Sequence, residues 1–441
     1  MTSCPRVIPL QRAIVLIALA IGVWLAGDVA AQAPVLAVPP AAEASPTFDA
    51  ERATEAYLAS VPADQRARAD AYVEGGYWLQ LWNQLVGVLA CWLLLARGWS
   101  ARMRELGRRV TTRRPLQTAI YWVQFILYLT IVSFPLTVYS GFYREHQYSL
   151  ATQTFWPWMG EQLTSLGLAL VLGAVGISIL YAILRRVGRA WWLWAAGVVV
   201  VFQLFGALIA PVFIAPLFNT YTTLADARIR DPILSMARAN GIGVDAVYVV
   251  DESRQTTRVS ANVSGLFGTM RISLNDNLLR RATLEEIEMV MGHEMGHYVL
   301  NHVFKNLFEV SLLIVIGLGL IARVFERLRQ RKPLWGIESS ADIAGLPLLM
   351  SLLSVYLFIA TPITNTITRT SEYEADIFGL NASRQPDGFA NVTLKLGEYR
   401  KLSPGPIEEV IFFDHPSGRT RILAAMRWKA ENPNLQLRIR N

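Results

Sequence analysis

Seven long apolar runs most constrain what this chain can fold into. They lie near 14–27, 77–96, 119–140, 164–184, 192–214, 306–325 and 343–364. A helix of about twenty apolar residues spans the hydrocarbon core of a bilayer, where every backbone polar group must be satisfied internally. The chain is 53% hydrophobic and 17% charged, whereas soluble domains carry about 25% charged residues. The sequence therefore predicts a polytopic α-helical membrane protein of about seven spans.

The first apolar run is consistent with two interpretations. It is short, follows Arg6 and Arg12, and precedes "GDVAAQAP", which has the small residues of a signal-peptidase site. Residues 1–31 are therefore either a signal peptide or a first transmembrane span. Both alternatives leave the following chain on the same side of the membrane. The Pro- and Ala-rich stretch 33–46 has the composition of a linker.

The placement of arginine predicts the orientation of the chain. The loop 97–118 contains seven arginines, and the loops after the fourth and sixth runs read "RRVGR" and "RVFERLRQRKP". These are alternate loops, and short basic loops face the cytoplasm. We therefore expect segments 28–76, 141–163 and 219–305 to face the periplasm of a bacterial inner membrane. The net charge of +7 then reflects topology, and no nucleic-acid partner is expected.

Segment 219–305 has the pattern of a small α+β unit. "RDPILSMARANGIG" predicts an amphipathic helix that ends at Asn240-Gly241. "AVYVV" predicts a strand, and "SANVSGLFGTMRISLND" predicts two strands joined at a Gly-rich turn. Thr283 and Glu286 have the spacing of a capping box, which predicts the start of the next helix.

That helix carries the motif "MGHEMGHYVLNH", which contains three of the five histidines. His293 and His297 are four residues apart, so they share one helical face and can bind one zinc ion. Glu294 can take a proton from a water that zinc activates. His302 lies about 140° around a continuous helix from His297 and is predicted not to be a ligand. The alternative is a chance pattern of polar residues near a membrane.

A catalytic zinc usually has three protein ligands and one open position. The two cysteines cannot form a cysteine-based zinc site, so the third ligand is sought among carboxylates. In "NTITRTSEYEADIFG", Glu372 and Asp376 are four residues apart on one helical face. Glu372 can complete the ligand set for one zinc per chain, and Asp376 can accept the outer N–H of a ligating histidine. The alternative is a solvated acidic helix start, which is what we predict for Glu374.

These two motifs resemble those of the integral-membrane zinc metalloproteases of the CAAX prenyl protease type 1 (a-factor-converting) family. The second motif of that family is usually N-x-x-S-R-x-x-E-x-x-A-D. The residues that match it here are Asn365, Arg369, Glu372, Ala375 and Asp376, with Thr368 in place of Ser. The likeness extends to the segments 211–222, 260–279 and 414–422. The resemblance implies a gluzincin-like α+β zinc protease domain and membrane spans around a chamber.

The resemblance also implies individual roles. His293, His297 and Glu372 would be the zinc ligands, Glu294 the general base, and Asp376 a support for a ligand. His415 lies in a segment that this family folds over the zinc, where it would support catalysis; the alternative is a cap of the helix that starts at Ser417. Asn262, with Ser264, lies on a strand that binds the substrate backbone in this family, and the alternative for Asn262 is a turn or strand-end residue. Separately, Arg369 and Arg421 could bind acidic groups near the site or form structural ion pairs, and we predict that Arg421 binds substrate.

The predicted domain layout follows from these assignments. It comprises a signal peptide or first span (1–31), an extracytoplasmic linker and helix (32–76), transmembrane spans (77–218), a catalytic segment with the HExxH helix (219–303), two further spans (304–364) and a C-terminal catalytic segment with the third ligand (365–441). The predicted function is zinc-dependent endoproteolysis of peptides or of unfolded or membrane-associated proteins. The alternatives are a heat-shock-type quality-control protease, a non-catalytic zinc scaffold or chaperone, and a transporter.

Overall fold

Five helices are long and apolar enough to cross a membrane in the computed structural model, which describes residues 36–265 and 270–433. They are Ala63–Ala96, Arg114–Gln147, Phe155–Val187, His302–Arg331 and Ile343–Ser383. The bent pair Trp191–Gly206 and Ala210–Leu217 is a sixth candidate span, broken by 49°. Six of the seven predicted runs fall within these helices, which confirms a multi-span helical protein. The run at 14–27, with its predicted signal peptide or first span, lies outside the described residues.

The helices and strands have the following positions along the chain. The α-helices are α1 (Ala50–Ala59), α2 (Ala63–Ala96), α3 (Trp99–Val110), α4 (Arg114–Val138), α5 (Arg144–Gln147), α6 (Phe155–Val187), α7 (Trp191–Ile209), α8 (Ala227–Ala239), α9 (Asp276–Arg281), α10 (Leu284–Val299), α11 (His302–Arg331), α12 (Leu346–Ser383), α13 (Pro386–Leu396), α14 (Pro406–Phe412) and α15 (Gly418–Glu431). The strands are β1 (Tyr221–Thr223), β2 (Val247–Val250), β3 (Ala261–Ser264) and β4 (Arg271–Asn275). Helices α2, α6 and α12 each extend beyond the apolar run that predicts a span there.

The spanning helices bury one set of apolar residues and expose another. Their shared core includes Leu94, Tyr121 and Phe325, which are at most 2% exposed. On the outside, Ile131 and Phe308 are more than 70% exposed. Apolar side chains of this kind are expected to face lipid rather than water.

Helix α12 is longer than the apolar run that predicts its membrane span. The run covers 343–364, but the helix continues without a break to Ser383. Helical hydrogen bonding does not end where hydrophobicity ends, and Gly379 keeps the helical backbone, so the helix ends only at Arg384, which adopts φ +58°. A single rigid element therefore connects the membrane core with Glu372 and Asp376.

The sheet of the α+β unit has the order β1-β2-β4-β3. Strands β1 and β2 are antiparallel, β2 and β4 are parallel, and β3 pairs antiparallel with β4, with Asn262 opposite Ser273. Strand β3 is thus an edge strand of the described sheet. Helices α8 and α10 pack against the sheet through Ile233, Ile272 and Met291, all of which are buried. The Gly-rich turn lies mostly outside the described residues.

The start of α10 confirms the predicted capping box. The backbone N–H of Glu286 donates to Thr283 Oγ1, and the backbone N–H of Thr283 donates to Glu286 Oε2 at 2.9 Å. Glu286 is buried and also forms an ion pair of 2.7 Å with Lys395 of α13. The cap thus anchors the start of the motif helix to the C-terminal segment.

Helices α10 and α12 approach each other closely where the motif residues lie. A Cβ atom on Gly379 would lie 2.8 Å from the backbone nitrogen of His293, and one on Gly292 would lie 3.1 Å from the carbonyl oxygen of Gly379. Only glycine permits this backbone distance. The two helices can therefore place their motif side chains in one cluster.

Helix α1 packs on the C-terminal helices rather than lying free as part of a loop. Its Tyr57 is fully buried and donates a hydrogen bond of 2.8 Å to Asp387 of α13. Leu58 shares a core with Phe389 and Ile422. The segment before the first described span is therefore part of the α+β unit.

Candidate metal centre

Helix α10 places the two motif histidines one above the other, as their spacing predicts. The Nε2 atoms of His293 and His297 are 3.1 Å apart. His293 is 8% exposed, and His297 is more accessible. Each ring thus directs its Nε2 atom toward one common point beside the helix.

Glu372 of α12 reaches the same point. Its Oε2 lies 3.2 Å from His293 Nε2, and its Oε1 lies 3.4 Å from His297 Nε2. One donor atom from each of the three residues lies within 4.8 Å of the other two. Ligands about 2.0–2.1 Å from a tetrahedral zinc ion are about 3.3–3.4 Å apart. The spacing therefore fits a zinc ion.

The chemistry of these atoms supports the same conclusion. The buried Glu372 Oε2 accepts no well-formed hydrogen bond within the described part of the chain, although His293 Nε2 and His415 Nε2 lie 3.2 and 3.3 Å away. Burying an acceptor without a partner costs about 1–3 kcal/mol. Two imidazole lone pairs and one unsatisfied carboxylate oxygen therefore converge, as a cation site requires.

Asp376 and Arg421 lie behind His293. Asp376 Oδ1 is 2.8 Å from His293 Nδ1, and Arg421 Nε donates to Asp376 Oδ2 at 2.9 Å, with a second contact from Nη2. Asp376 is fully buried and Arg421 is 6% exposed. The carboxylate can hold the outer nitrogen of His293 and so direct Nε2 to the centre.

The charges around the centre favour a cation there. Burial lowers the pKa of His293, but the carboxylates of Asp376 and Glu372 outweigh it and raise that pKa to about 9. Burial raises the pKa of Glu294, and this is partly offset by the positive charges of His293 and His297. A proton or a metal ion between these groups is therefore stabilised by the surrounding negative charge.

His302 supports His297 from the opposite side. The Nδ1 atoms of His297 and His302 are 3.0 Å apart, and His302 Nε2 lies 3.0 Å from Glu374 Oε2. Glu374 also forms an ion pair of 2.7 Å with Lys305. His302 is outside the three-residue ligand set, as predicted. Glu374 is half-exposed, but it is engaged with two partners rather than only solvated.

His415 lies over the centre. Its Nε2 is 3.3 Å from Glu372 Oε2, and its Nδ1 is 2.8 Å from Asp414 Oδ1. The hydrogen bond from His415 also lowers the pKa of Asp414. The alternative that His415 caps the next helix is wrong, because the cap of α15 is Ser417, which accepts from the backbone N–H of Thr420.

Arg369 and Asn365 of the second motif hold the segment that precedes His415. Arg369 donates to the backbone carbonyls of Glu409 and Phe413 at 3.0 and 2.6 Å, and Asn365 donates to the carbonyl of Ile411 at 2.7 Å. Arg369 therefore binds the C-terminal carbonyls of α14 and not an acidic side chain. By anchoring α14, it positions the residues that follow, including His415.

Comparison with known proteins identifies the family. Residues 49–220 match "CAAX prenyl protease N-terminal, five membrane helices", and residues 223–429 match "Peptidase family M48". The Bacillus subtilis protein named "Uncharacterized metalloprotease YhfN" is 30% identical over 344 residues, which cover 76% of this chain and 80% of that protein. The chain belongs to peptidase family M48.

Two further relatives agree with this assignment. The M48 chain is 27% identical over 314 residues to CAAX prenyl protease 1 of Saccharomyces cerevisiae, covering 67% of this chain and 69% of that one. The crystal structure of S. mikatae Ste24p shares its fold with a TM-score of 0.68 at 22% identity, covering 83% and 89% of the two chains. The chain is therefore a membrane-integral metallopeptidase, a hydrolase that acts on peptide bonds.

Strand β3 borders the centre of this M48 peptidase. Helix α10 packs against β3, and Asn262 on that strand is exposed, with Ser264 Oγ donating to its Oδ1 at 3.3 Å. A cavity of about 210 Å³ extends from His293 and Glu294 between β3, α10 and α13. Asn262 and Ser264 lie along the open edge of the strand, and their roles stay predictions.

His302 and Asp414 are the functional candidates that sequence reasoning missed. On one continuous helix, His302 would point about 140° away from His297. Instead, α10 ends at Val299, and Asn301 adopts φ +56° before α11 begins. Asparagine is one of the few residues that tolerate this left-handed conformation. Asn301 was therefore a signal for the reversal that returns His302 to His297. Asp414 carried no signal beyond its position beside His415.

Replacing His302 with alanine is expected to weaken zinc binding by about 10- to 100-fold, because His297 loses the partner that fixes its ring. Zinc affinity can be measured by competition with a chromophoric chelator. His146 of α5 provides a control, since the hydrogen-bond partners of its ring nitrogens among the described residues are the carbonyls of Phe142 and Gln153, away from the centre. An affinity equal to the parent's in His302→Ala would show that His302 does not position the ligand.

Proposed function

We propose that this chain is a zinc metalloendopeptidase that hydrolyses peptides or unfolded and membrane-associated proteins. The observation that carries the proposal is the convergence of His293, His297 and Glu372 at ligand spacing. Glu294 adjoins them in a cleft beside an unpaired strand edge. These residues would hold one zinc ion. A zinc ion bound there supplies a Lewis acid that polarises the scissile carbonyl and activates water.

Glu294 is proposed to be the general base and then the acid. It lines the cavity together with His293 and His415. Burial raises the pKa of Glu294, and the charges of His293 and His297 partly offset this. A carboxylate beside the proposed zinc ion can accept a proton from water and then donate it to the leaving amine.

His415 is proposed to stabilise the charge that develops on the substrate carbonyl. Asp414 holds Nδ1 of the ring, and Nε2 faces the cleft close to Glu372. A protonated ring in this position can donate a hydrogen bond to the oxyanion, a type of contact typically worth about 10²–10³ in rate. The anchoring of α14 by Arg369 keeps the ring in place.

The proposed substrate is an extended peptide that adds to the edge of β3. Strand β3 pairs on one side with β4 and leaves its other edge unpaired within the described sheet. Unpaired N–H and C=O groups can bind any extended backbone, which suits an enzyme that acts on unfolded segments. Asn262 and Ser264 are proposed to contact the substrate there, and Arg421 is proposed to act mainly through Asp376.

We also propose that the centre faces the side of the membrane opposite the basic loops. Arg108 of the first basic loop pairs with Glu338 at 2.9 Å, so two of these loops meet at one end of the bundle. Glu372 comes 26 residues after Leu346 at that end of α12, or about 39 Å along the helix. The positive-inside rule then favours the periplasmic face for the centre.

Glu294→Gln tests the proposed function. We expect the parent and the variant each to bind about one zinc per chain, and hydrolysis of an unfolded model protein to fall by about 10²–10⁴-fold in the variant. Zinc is measured by elemental analysis of purified protein, and cleavage by mass spectrometry. Glu285→Gln is the matched control, since Glu285 is exposed on the same helix.

Two results would contradict the proposal in different ways. If the parent and Glu294→Gln both bind zinc and neither cleaves any unfolded protein or prenylated peptide, the chain is a zinc scaffold. If neither binds zinc, the three residues are not a metal centre. Cleavage by the parent and by Glu285→Gln, but not by Glu294→Gln, supports it.

A further inference from the structure

Arg400 is a cationic side chain beside the metal centre that the proposed mechanism does not use. It lines the cavity of about 210 Å³ that begins at His293 and Glu294. It also lines an adjoining cavity of about 170 Å³, and Leu396, His415 and Arg421 border both cavities as well. Arg400 thus belongs to the wall that the two cavities share.

The neighbouring cations all have partners, whereas Arg400 has none within the described residues. Arg421 is bound to Asp376, and Lys401 forms ion pairs with Glu74 and Glu408 at 2.7 and 2.9 Å. Arg400 is partly buried, and neither a hydrogen bond nor an ion pair from its side chain occurs in the described part of the chain. Its burial and the nearby charge of Arg421 lower its pKa, and the charges of Asp414 and Glu372 offset this only in part.

The acidic groups near Arg400 are engaged elsewhere. Asp414 is held by His415 at 2.8 Å, and Glu372 belongs to the proposed metal ligands. The other walls of the larger cavity are mostly apolar, with Val259, Phe389 and Val392 among them. The carboxylates of Asp414 and Glu372 act on the charge of Arg400 only from a distance. A partly desolvated guanidinium that no carboxylate contacts directly is unfavourable unless a ligand supplies that contact.

We propose that Arg400 binds a carboxylate of the peptide substrate. A carboxylate is the anion that a peptide can carry into this cavity, either as its C-terminus or as an Asp or Glu side chain. The planar guanidinium can bind it with two parallel hydrogen bonds. Arg400 thereby selects substrates with a negative charge close to the scissile bond. The inference rests on the proposed peptidase function.

The larger cavity lies on one side of the candidate metal centre. From α10, the cavity is lined by Met289, Val290, His293 and Glu294, so it extends from the centre toward the start of that helix. It does not extend along the His297 side. The carboxylate that Arg400 is proposed to bind would lie in this cavity, within a few residues of the scissile bond.

The test compares matched peptides with the full-length zinc-loaded protein. The peptides of the first series are quenched fluorescent substrates that share one sequence around the scissile bond. They end one, two or three residues after that bond, and each length is made with a free C-terminal carboxylate and with a C-terminal amide. A second, longer series carries Glu or Gln at the same positions. Each series is measured as kcat/KM with the parent, with Arg400→Gln and with Arg427→Gln. Arg427 is an exposed arginine that pairs with Glu51 on the surface.

We expect the parent and Arg427→Gln to prefer a carboxylate-bearing peptide over its neutral partner by about 10- to 100-fold, as a charge-assisted hydrogen bond would give. Arg400→Gln should lose that preference and cleave the neutral peptide as the parent does. If only the free-acid peptides are preferred over their amides, Arg400 binds the C-terminal carboxylate of the substrate. If only Glu is preferred over Gln, Arg400 binds a side-chain carboxylate.

Two outcomes would overturn the inference. One is a parent that shows no preference in either series. The other is an Arg400→Gln variant that slows acid and neutral peptides equally, since that is the result of a structural role. Cleavage of the neutral peptide by the parent, but not by Glu294→Gln, separates both outcomes from a failure of the proposed function.

Discussion

Glu372→Gln is expected to abolish both zinc binding and peptide hydrolysis. The carboxylate lies 3.2 Å from His293 Nε2 and 3.4 Å from His297 Nε2, and one of its oxygens has no hydrogen-bond partner in the described structure. An amide is a weaker ligand than a carboxylate for this kind of site, and it adds N–H donors that compete for the imidazole lone pairs. We expect zinc content to fall from about one per chain to near zero. Hydrolysis should fall by about 10³-fold or more, because carbonyl polarisation and water activation are lost together.

Glu374→Gln provides the matched control for this prediction. The change is chemically identical and lies two residues further along the same helix, but Glu374 is half-exposed and bonds to His302 and Lys305. Zinc content should be retained, and activity should stay within about tenfold of the parent. Elemental analysis and kcat/KM on the same preparations measure both effects. Full zinc content in Glu372→Gln would remove Glu372 from the ligand set.

The second large effect is expected on stability. Asp376→Ala leaves the buried guanidinium of Arg421 without its partner. Asp376 is fully buried, Arg421 is 6% exposed, and the two are joined by a bidentate contact. Breaking a buried pair by removing one partner typically costs about 3–5 kcal/mol. The metal-free variant should therefore unfold at a clearly lower temperature than the metal-free parent in the same detergent.

Chelation before the thermal melt separates this effect from loss of the metal. The double variant Asp376→Ala/Arg421→Met removes both charges and should recover much of the lost stability. It should not recover zinc affinity, because His293 still lacks an acceptor for its Nδ1. Glu51→Ala breaks a pair in which both side chains are 62% exposed and should cost no more than about 1 kcal/mol. Equal melting temperatures for Asp376→Ala and the parent would contradict a stabilising role for this pair.

The membrane spans could be predicted because hydrophobicity acts locally. A run such as 164–184 is apolar enough to require a bilayer whatever the rest of the chain does, and the structure contains a helix there. The capping box at Thr283 was predictable for the same reason, since it involves residues three positions apart.

The sequence by itself determined which residues close together along the chain lie side by side on a helix. It placed His293 and His297 on one helical face, and Glu372 and Asp376 on another, because residues four apart are neighbours on any helix. The meeting of these two faces was anticipated from the third ligand that a catalytic zinc needs and from the resemblance to a family. The tertiary structure decides it physically, through the close backbone contact of Gly292 and Gly379.

Only the tertiary structure decided the contacts of residues whose partners lie far along the chain or across a reversal of the backbone. The left-handed backbone of Asn301 turns His302 back to His297, so that their Nδ1 atoms are 3.0 Å apart. Arg369 was open to an ion pair by sequence, yet it binds carbonyls of α14. Arg400 has no motif at all and is distinguished only by the charges around it. Contacts of this kind follow from how whole elements pack, and no local pattern along the chain encodes them.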